Sequence, residues 1–191
     1  MKVCILGNNL TSLVLAKTLS NMGITIDIIC VNEISIIDKT RTLAISKYNI
    51  EFFNKKILNI NKLLWKINKI EIYNENLKNE KILNFLNNNE YLFSMIKNYE
   101  LYTHLIKDLK KNRLIKFKKK INYSNITDNY KLIFNCDYKN LITKKYFFKT
   151  IKKNYKSSAY TAIINHTKMK KNDIAFQIFT QRGPFAFLPI S

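Results

Sequence analysis

The chain is poor in glycine, proline and acidic residues. It has 3 Gly and 2 Pro among 191 residues, and 13 Asp+Glu against 33 Lys+Arg. Collagen-like and Gly/Pro-rich disordered classes need far more glycine and proline, so both are excluded. The hydrophobic fraction of 47% and the aromatic fraction of 13% are instead sufficient for a core. The length suits one domain, or one domain with part of another.

Cysteine and long apolar runs are also scarce. Cys4, Cys30 and Cys136 are too few and too widely spaced for a disulfide framework or a zinc site, which agrees with a reducing compartment. No apolar stretch reaches the roughly 18 residues that a membrane-spanning helix needs. The N-terminus runs directly into a short apolar segment without a signal-peptide pattern. We expect a cytoplasmic protein, and peripheral contact with the inner face of the membrane stays open.

The formal net charge of +20 has two interpretations. An anionic partner, either nucleic acid or an acidic membrane surface, would select for basic residues. Codon bias would also produce this charge, because the abundant Lys, Asn, Ile, Phe and Tyr have AT-rich codons. The basic residues are spread from Lys2 to Lys171, which favours codon bias. No nucleic-acid-binding motif is present, so we expect no nucleic-acid partner, and a small basic nucleic-acid-binding protein is the weakest of the alternatives.

The N-terminal segment has the pattern of a parallel βαβ unit. Residues 2–6 predict a short buried strand that Gly7 ends, and a helical pattern follows from Leu10 to Met22. Gly23 lies where a left-handed helix cap is needed, and residues 24–31 predict a second strand rich in β-branched side chains. Strand, turn, helix, cap and strand together have the length of one right-handed crossover unit.

The turn after the first strand is a candidate dinucleotide site. Such a site needs a tight turn that brings a diphosphate to the N–H groups of a helix N-terminus, and its usual signature is G-x-G-x-x-G. The equivalent positions here are Gly7, Asn9 and Ser12, so only the first glycine is retained. Asn tolerates the left-handed region, and Ser is small enough for close packing. A βαβ unit that kept its shape and lost its ligand is the alternative.

An acidic residue that binds ribose hydroxyls is expected at the end of the second strand. Cys30 occupies that position, and Glu33 lies three residues beyond it. Further along, a helix is predicted within 40–53, starting near Ser46, and an amphipathic helix over 98–111, with Asn98 as its N-cap. A short helix or turn is predicted at 57–65. A strand is predicted at 67–73, with 81–86 as its candidate partner strand. Further strands are predicted at 114–123, 130–136, 159–166 and 174–180.

Four segments resemble, in order, the FAD-dependent aromatic hydroxylases of the ubiquinone-biosynthesis and p-hydroxybenzoate hydroxylase group. Residues 38–46 (DKTRTLAIS) are similar to that family's D-x-R-x-x-A-L-S segment, in which Arg41 would lie near the FAD phosphates. Residues 95–109 are similar to its V-E-N-R-x-L helix, with Asn98 matching. Residues 131–140 (KLIFNCDYKN) retain Asp137 of a G-A-D-G motif, although Tyr138 replaces the glycine. Residues 179–191 (FTQRGPFAFLPIS) are close to F-T-x-x-G-P-x-A-x-L-P-L.

The resemblance implies an α/β fold, namely a Rossmann-like FAD-binding βαβ domain with part of a mostly antiparallel substrate-domain sheet. Residues 1–70 and 95–150 would form the FAD-binding domain, and 71–94 with 151–191 the truncated sheet. FAD and NAD(P)H would be the cofactors. The implied cofactor-binding residues are Gly7, Asn9, Leu10, Ser12, Glu33, Arg41, Asn98 and Asp137.

The implied reaction uses NAD(P)H and O2 to hydroxylate a polyprenylated phenol ring in ubiquinone biosynthesis. The flavin carries out the oxidative chemistry, so no catalytic side chain and no metal site is expected. His104 and His166 are interpreted as structural. Members of the family are about twice this length, which predicts a fragment, half of a split gene or a decayed copy. We therefore expect weak or no activity without a complementing C-terminal chain, and a non-catalytic scaffold in a biosynthetic complex is the alternative.

Overall fold

The computed structural model describes residues 2–30, 38–75, 80–87, 90–119, 126–147, 149, 151–167 and 171–191. Backbone contacts divide the chain into two compact units. The first contains Met1–Asp38, Lys56–Leu58 and Tyr102–Tyr160, and the second contains Lys39–Lys55, Asn59–Leu101 and Thr161–Ser191. The sequence-based boundaries differ from these: they place all of residues 39–70 and residues 95–101 with the first unit, and residues 151–160 with the second. The assignment of the two parts to cofactor and substrate stays a prediction.

The described part of the chain mixes strands and helices, with runs of consecutive strands in its middle and near its end. The strands are β1 (Lys2–Leu6), β2 (Thr25–Ile29), β3 (Thr42–Ser46), β4 (Trp65–Ile67), β5 (Lys69–Asn74), β6 (Lys81–Leu86), β7 (Phe93–Lys97), β8 (Ile115–Lys118), β9 (Leu132–Asn135), β10 (Ile174–Thr180) and β11 (Gly183–Phe187). The α-helices are α1 (Leu10–Asn21), α2 (Lys47–Phe52), α3 (Asn98–Leu109), α4 (Ile126–Asn129) and α5 (Leu141–Tyr146). A π-helical turn at Phe53–Ile57 and a 3-10 turn at Asn61–Leu63 follow α2.

The first unit contains a parallel sheet in the order β8-β2-β1-β9. β1 pairs in parallel with β2 on one side and with β9 on the other, and β8 pairs in parallel with β2. The predicted βαβ unit is thus confirmed, and the mixed α/β fold with a Rossmann-like sheet is the predicted fold class. Val3 and Ile5 point to one face and Cys4 and Leu6 to the other, and all four are buried. Burial on both faces explains why the strand is a continuous apolar run.

The helix after β1 begins and ends as its sequence predicts. Asn9 is its N-cap, and the chain leaves it at Gly23, whose φ of +76° is in the left-handed region. The Gly23 N–H donates to the carbonyl of Ser20 over 3.0 Å, which satisfies one of the last helical carbonyls. A residue with a Cβ would be strained at this position.

The second unit contains a mixed sheet in the order β11-β10-β5-β6 and an antiparallel sheet in the order β3-β7-β4. β5 pairs antiparallel with β6, as predicted, and in parallel with β10. β10 and β11 form a hairpin, in which Gly183 has a φ of +124°. A cluster of Ile67, Met95 and Ala175, with Trp65 and Phe93 packed against it, forms a core of this unit.

The helix predicted to start near Ser46 is confirmed, because α2 follows Ser46, whose side chain accepts from the Asn49 N–H. The preceding residues 42–46 form a strand that the sequence did not predict, β3, which pairs antiparallel with β7. Two other local predictions need correction. Asn98 is the first residue of α3, and its N–H donates to the Arg41 carbonyl, so its predicted N-cap role is wrong. Residues 159–166 lie outside any strand. Within the part of the chain that the structure describes, no helix is long and apolar enough to cross a bilayer.

Candidate dinucleotide site

Gly7 forms the tight turn between β1 and α1. Its N–H donates to the carbonyl of Ile29 over 3.0 Å, and its φ is +109°. A Cβ at this position would lie 3.2 Å from the Cβ of Asp137 and 3.2 Å from the Oγ of Ser12. Both the backbone conformation and the close approach of two other segments therefore require glycine. This is the cradle that a dinucleotide-binding turn needs.

Asn9 occupies the second glycine position, and it serves as a helix cap. Its φ is −76° and its ψ is 174°, so its backbone is extended and the predicted use of the left-handed region is wrong. The reason is that its Oδ1 accepts from the Ser12 N–H over 3.0 Å and from the Ser12 hydroxyl over 3.1 Å. An N-cap residue adopts an extended backbone in order to place its side chain in this way.

The Asn9 side chain also reaches the end of β9. Its Nδ2 donates to the carbonyl of Cys136 over 2.7 Å, and the two residues are 127 positions apart in sequence. β1 and β9 are the neighbours between which the strand order of the sheet reverses. In open α/β sheets, ligands bind in the crevice outside the carboxyl ends of such strands. The Asn9 carboxamide thus spans the crevice where a ligand is expected.

Asp137 is positioned by a network of side chains around the loop after β9. The Asn135 Oδ1 accepts from the Asp137 N–H over 3.2 Å and from the Asn140 Nδ2 over 2.6 Å. The Thr143 hydroxyl donates to the Asp137 carbonyl over 3.0 Å, and the Asp137 carboxylate accepts from the Lys139 N–H over 2.9 Å. These contacts build the turn, and Tyr138 within it does not have a positive φ. Sequence reasoning missed the network, whose signal is the spacing N-x-D-x-x-N-x-x-T.

Five of the eight predicted cofactor-binding residues belong to the Gly7 turn, the start of α1 and the loop after β9, all in the first unit. A Cβ on Gly7 would meet Ser12 and Asp137, and the Asn9 side chain accepts from the Ser12 N–H. Leu10 is the first residue of α1. Arg41 and Asn98 lie in the second unit, where the Asn98 N–H donates to the Arg41 carbonyl over 3.0 Å, and Glu33 lies outside the described residues.

Cys30 stands where a ribose-binding carboxylate is expected. Burial raises the pKa of its thiol, so the group is neutral at physiological pH. A neutral thiol is a weak hydrogen-bond acceptor compared with a carboxylate. The residue therefore does not replace the missing acid in function. Among the described residues, no cluster of His, Cys, Asp and Glu could hold a metal ion.

A groove of about 880 Å³ lies beside the Asp137 loop, within the first unit. Apolar side chains from α4, β9 and α5 dominate its lining, and Asn135 and Thr143 of the loop network contribute polar atoms. Ile126, Ile133 and Ile142 connect it to the core cluster that contains Cys4 and Leu6. The groove thus borders the face of the sheet to which Cys4 and Leu6 point.

Two features of the turn favour the binding of a dinucleotide, and one feature opposes it. The glycine cradle and the 12-residue helix α1, with its N-terminus at the switch point, are what a diphosphate requires. The Asn9 carboxamide, however, already accepts from an N–H group of the first turn. A diphosphate can approach that N–H only if this side chain changes its rotamer.

Solved structures with a similar fold include monooxygenases, one of which is described as FAD-containing. The chain is similar to a putative FAD-containing monooxygenase from Photorhabdus luminescens subsp. laumondii TTO1, with a TM-score of 0.55 and 18% identity over 77% of this chain and 42% of that one. It is also similar to the p-nitrophenol 4-monooxygenase PnpA from Pseudomonas putida DLL-E4, with a TM-score of 0.52 and 13% identity over 61% of this chain and 31% of that one. For PqsL of P. aeruginosa in complex with 2-aminobenzoylacetate, the TM-score is 0.53 and the identity 13%, over 62% and 33% of the two chains.

These similarities show a shared fold, and this chain spans less than half the length of each of these three proteins. No protein-family model matches the sequence, and no curated protein is significantly similar to it in sequence.

Proposed function

We propose that this chain is the FAD-binding part of a flavin-dependent aromatic monooxygenase of the ubiquinone-biosynthesis type. Its substrate would be a polyprenylated phenol, and NAD(P)H and O2 the co-substrates. The observation that carries the proposal is the contact of the Gly7 turn with Asp137 at the strand switch point. The similar fold of FAD-containing monooxygenases supports it. The segment FTQRGPFAFLPIS, which forms the β10–β11 hairpin and the residues after it, supports the narrower subfamily.

Each residue of the turn would have a binding role. The Gly7 backbone would lie against the diphosphate, because no side chain keeps the ligand away. The N-terminus of α1 would direct its N–H groups and its positive dipole end at the phosphate oxygens. Ser12, fully buried, keeps the helix close to the strand. Bound FAD would supply the redox chemistry, accepting hydride from NAD(P)H and activating O2, while the protein orients the ring and excludes water.

Titration with FAD tests this proposal. Purified protein is mixed with FAD, and binding is followed by quenching of flavin fluorescence and by co-elution of the yellow chromophore in gel filtration. We expect saturable binding with one site per chain, and competition by ADP, which carries the same diphosphate. Absence of binding to the wild type and to turn variants alike would contradict the proposal.

A non-catalytic scaffold is the second candidate, and one observation favours it. Asn9 satisfies the N-terminus of α1 from within the chain and bridges to Cys136, so the turn is complete without a ligand. Such a protein would be colourless after purification and would not bind FAD. The titration therefore separates the two candidates.

A complementing chain is also part of the proposal. β11 lies at the edge of its sheet, and Phe185 and Phe187 on this strand are 58% and 47% exposed. An apolar edge strand is a template for pairing with another strand. A partner that continues the sheet would cover these aromatic rings. When this protein is co-expressed with a candidate partner chain, the two should elute together as one complex in gel filtration.

Peripheral membrane contact remains a proposal, and a local charge asymmetry supports it. No Asp or Glu lies between Asp137 and Asp173, whereas lysines recur through this stretch. Tyr146 and Phe147, at the end of α5, are 60% and 63% exposed within it. Exposed aromatic rings among lysines are typical of surfaces that bind anionic lipid.

A further inference from the structure

We propose that the carboxamide of Asn9 is a built-in latch, which takes the place of the FAD diphosphate in the ligand-free protein and must rotate away when the cofactor binds. The inference rests on the proposed function and concerns the regulation of the same turn. It predicts that the side chain lowers the affinity for FAD and stabilises the ligand-free turn.

The first argument is the acceptor role of the side chain. The Asn9 Oδ1 accepts from the backbone N–H of Ser12 and from its hydroxyl, over 3.0 and 3.1 Å. The N–H groups at a helix N-terminus are the donors that a diphosphate would use. The carboxamide oxygen has the partial negative charge that a phosphate oxygen would bring. It therefore competes with the ligand for the same donor.

The second argument is the bridge that the other end of the carboxamide makes. The Asn9 Nδ2 donates to the Cys136 carbonyl over 2.7 Å, and thereby connects the start of α1 to the residue after β9. The next residue, Asp137, packs against Gly7. The bridge thus crosses the crevice directly beside the glycine cradle. A diphosphate lying against the Gly7 backbone would occupy the same space.

The third argument is that the latch can open. Asn9 is exposed, and its backbone is in the extended region, where all common side-chain rotamers are accessible. Rotation about its Cα–Cβ bond releases Ser12 and Cys136 without moving the helix. Opening sacrifices the hydrogen bonds of the carboxamide. The apparent dissociation constant for FAD is therefore the intrinsic one divided by the fraction of molecules in which the latch is open.

The test removes the carboxamide at a position where glycine is tolerated. Asn9→Gly restores the second glycine of the dinucleotide signature, and glycine is itself tolerated at an N-cap. We expect FAD to bind this variant at least about tenfold more tightly than the wild type, as removal of a mostly closed state predicts. Asn9→Asp keeps the acceptor for Ser12 but adds a negative charge, so we expect it to bind FAD more weakly than the wild type. Asn8→Gly is the matched control, because it adds the same backbone freedom to the loop and leaves the carboxamide in place.

Two measurements without ligand complete the test. Hydrogen exchange at the Ser12 amide should be faster in Asn9→Gly than in the wild type, and the Tm of the ligand-free variant should be lower. Equal FAD affinity of the wild type and Asn9→Gly, or a weaker affinity of the variant, would overturn the latch while the proposed function stands. If none of the variants binds FAD, the proposed function itself fails. A gain of the same size in Asn8→Gly would assign the effect to loop freedom and also overturn the latch.

Discussion

The hydroxyl of Tyr130 donates a 2.6 Å hydrogen bond to the carboxylate of Asp27 inside the first unit. The same carboxylate oxygen lies 2.7 Å from the Nζ of Lys118 and 3.0 Å from that of Lys2, and the Asp27 side chain is fully buried. Burial alone would raise the pKa of this group, but the hydrogen bonds from Lys118, Tyr130 and Lys2 outweigh it, and the pKa is lowered. Side chains of β1, β2 and β8, together with Tyr130 just before β9, meet at this carboxylate.

Asp27→Asn should reduce the free energy of unfolding by about 2 kcal/mol at neutral pH. The amide loses the charge-assisted bonds, each of which contributes on the order of 1.5–3 kcal/mol in a buried setting. The loss of stability is smaller than the sum of these bonds, because the half-exposed ammonium groups of Lys2 and Lys118 can be hydrated instead. Urea unfolding followed by circular dichroism measures it. Tyr130→Phe removes one donor only, and a loss as large as that of Asp27→Asn would show that the phenol, not the charge, dominates.

The contribution of Asp27 should disappear in acid. Its folded-state pKa is lowered, so its stabilisation is fully present above the unfolded-state pKa of about 3.9 and is lost as the pH falls through the lower folded value. Wild type and Asp27→Asn should therefore differ at pH 7, and the difference should begin to shrink below about pH 4 and vanish only below the folded-state pKa. The measurement is urea unfolding at a series of pH values. A difference that stays constant through this range would exclude the ionised carboxylate as its cause.

Glu71 should make the stability of the second unit depend on pH in a similar way. Hydrogen bonds from Lys69 and Lys81 lower its pKa to about 2 despite burial, and the hydroxyl of Tyr73 donates to it over 2.8 Å. Its stabilisation is present above the unfolded-state pKa, about 4.3, and is lost as the pH approaches the folded value. Glu71→Gln should be less stable than wild type at pH 7 and equally stable near pH 2. Unfolding of this unit can be followed by the fluorescence of Trp65, the only tryptophan of the chain. A stability difference between wild type and Glu71→Gln that persists at low pH would contradict a role of the ionised carboxylate.

Gly7→Ala should weaken FAD binding, whereas Gly23→Ala should not. Both glycines have positive φ, so alanine strains the backbone at either position and lowers stability by about 1 kcal/mol or more. Only at Gly7 does the new Cβ lie 3.2 Å from Asp137 and Ser12; at Gly23 nothing lies within 4 Å. Thermal unfolding and FAD titration of both variants separate strain from site geometry. Equal losses of affinity would show that backbone strain alone is responsible.

Lys144→Glu with Lys145→Glu should reduce binding to vesicles of anionic lipid. The two lysines lie in the last turn of α5, next to the exposed rings of Tyr146 and Phe147. Co-sedimentation with vesicles that contain phosphatidylserine, at increasing salt, measures the effect. Lys110→Glu with Lys111→Glu changes the net charge equally at another exposed place, after α3. If both pairs reduce binding alike, the net charge and not the α5 surface attracts the protein to lipid.

Elements with a strong local signal were predictable from the sequence. The βαβ unit has a continuous apolar strand, a helical apolar periodicity and a glycine at the helix end, and each acts within a few residues. The pairing of β5 with β6 was predictable for the same reason, since the strands are close in sequence. Strand β3 was not predictable from the sequence, because residues 42–46 become a strand only through their pairing with β7, far along the chain. Tertiary pairing overrides a weak local preference.

The amino-acid sequence by itself determined the Gly7 turn, the helix that follows it and the parallel strand beyond, because φ preferences, capping and apolar periodicity operate locally. Only the tertiary structure decided what the turn contacts. Asp137 packs against Gly7, and the carbonyl of Cys136 accepts from Asn9 across 127 positions of chain. Such contacts depend on the order of the strands in the sheet, which brings β9 beside β1 and leaves no trace in the spacing of residues along either segment.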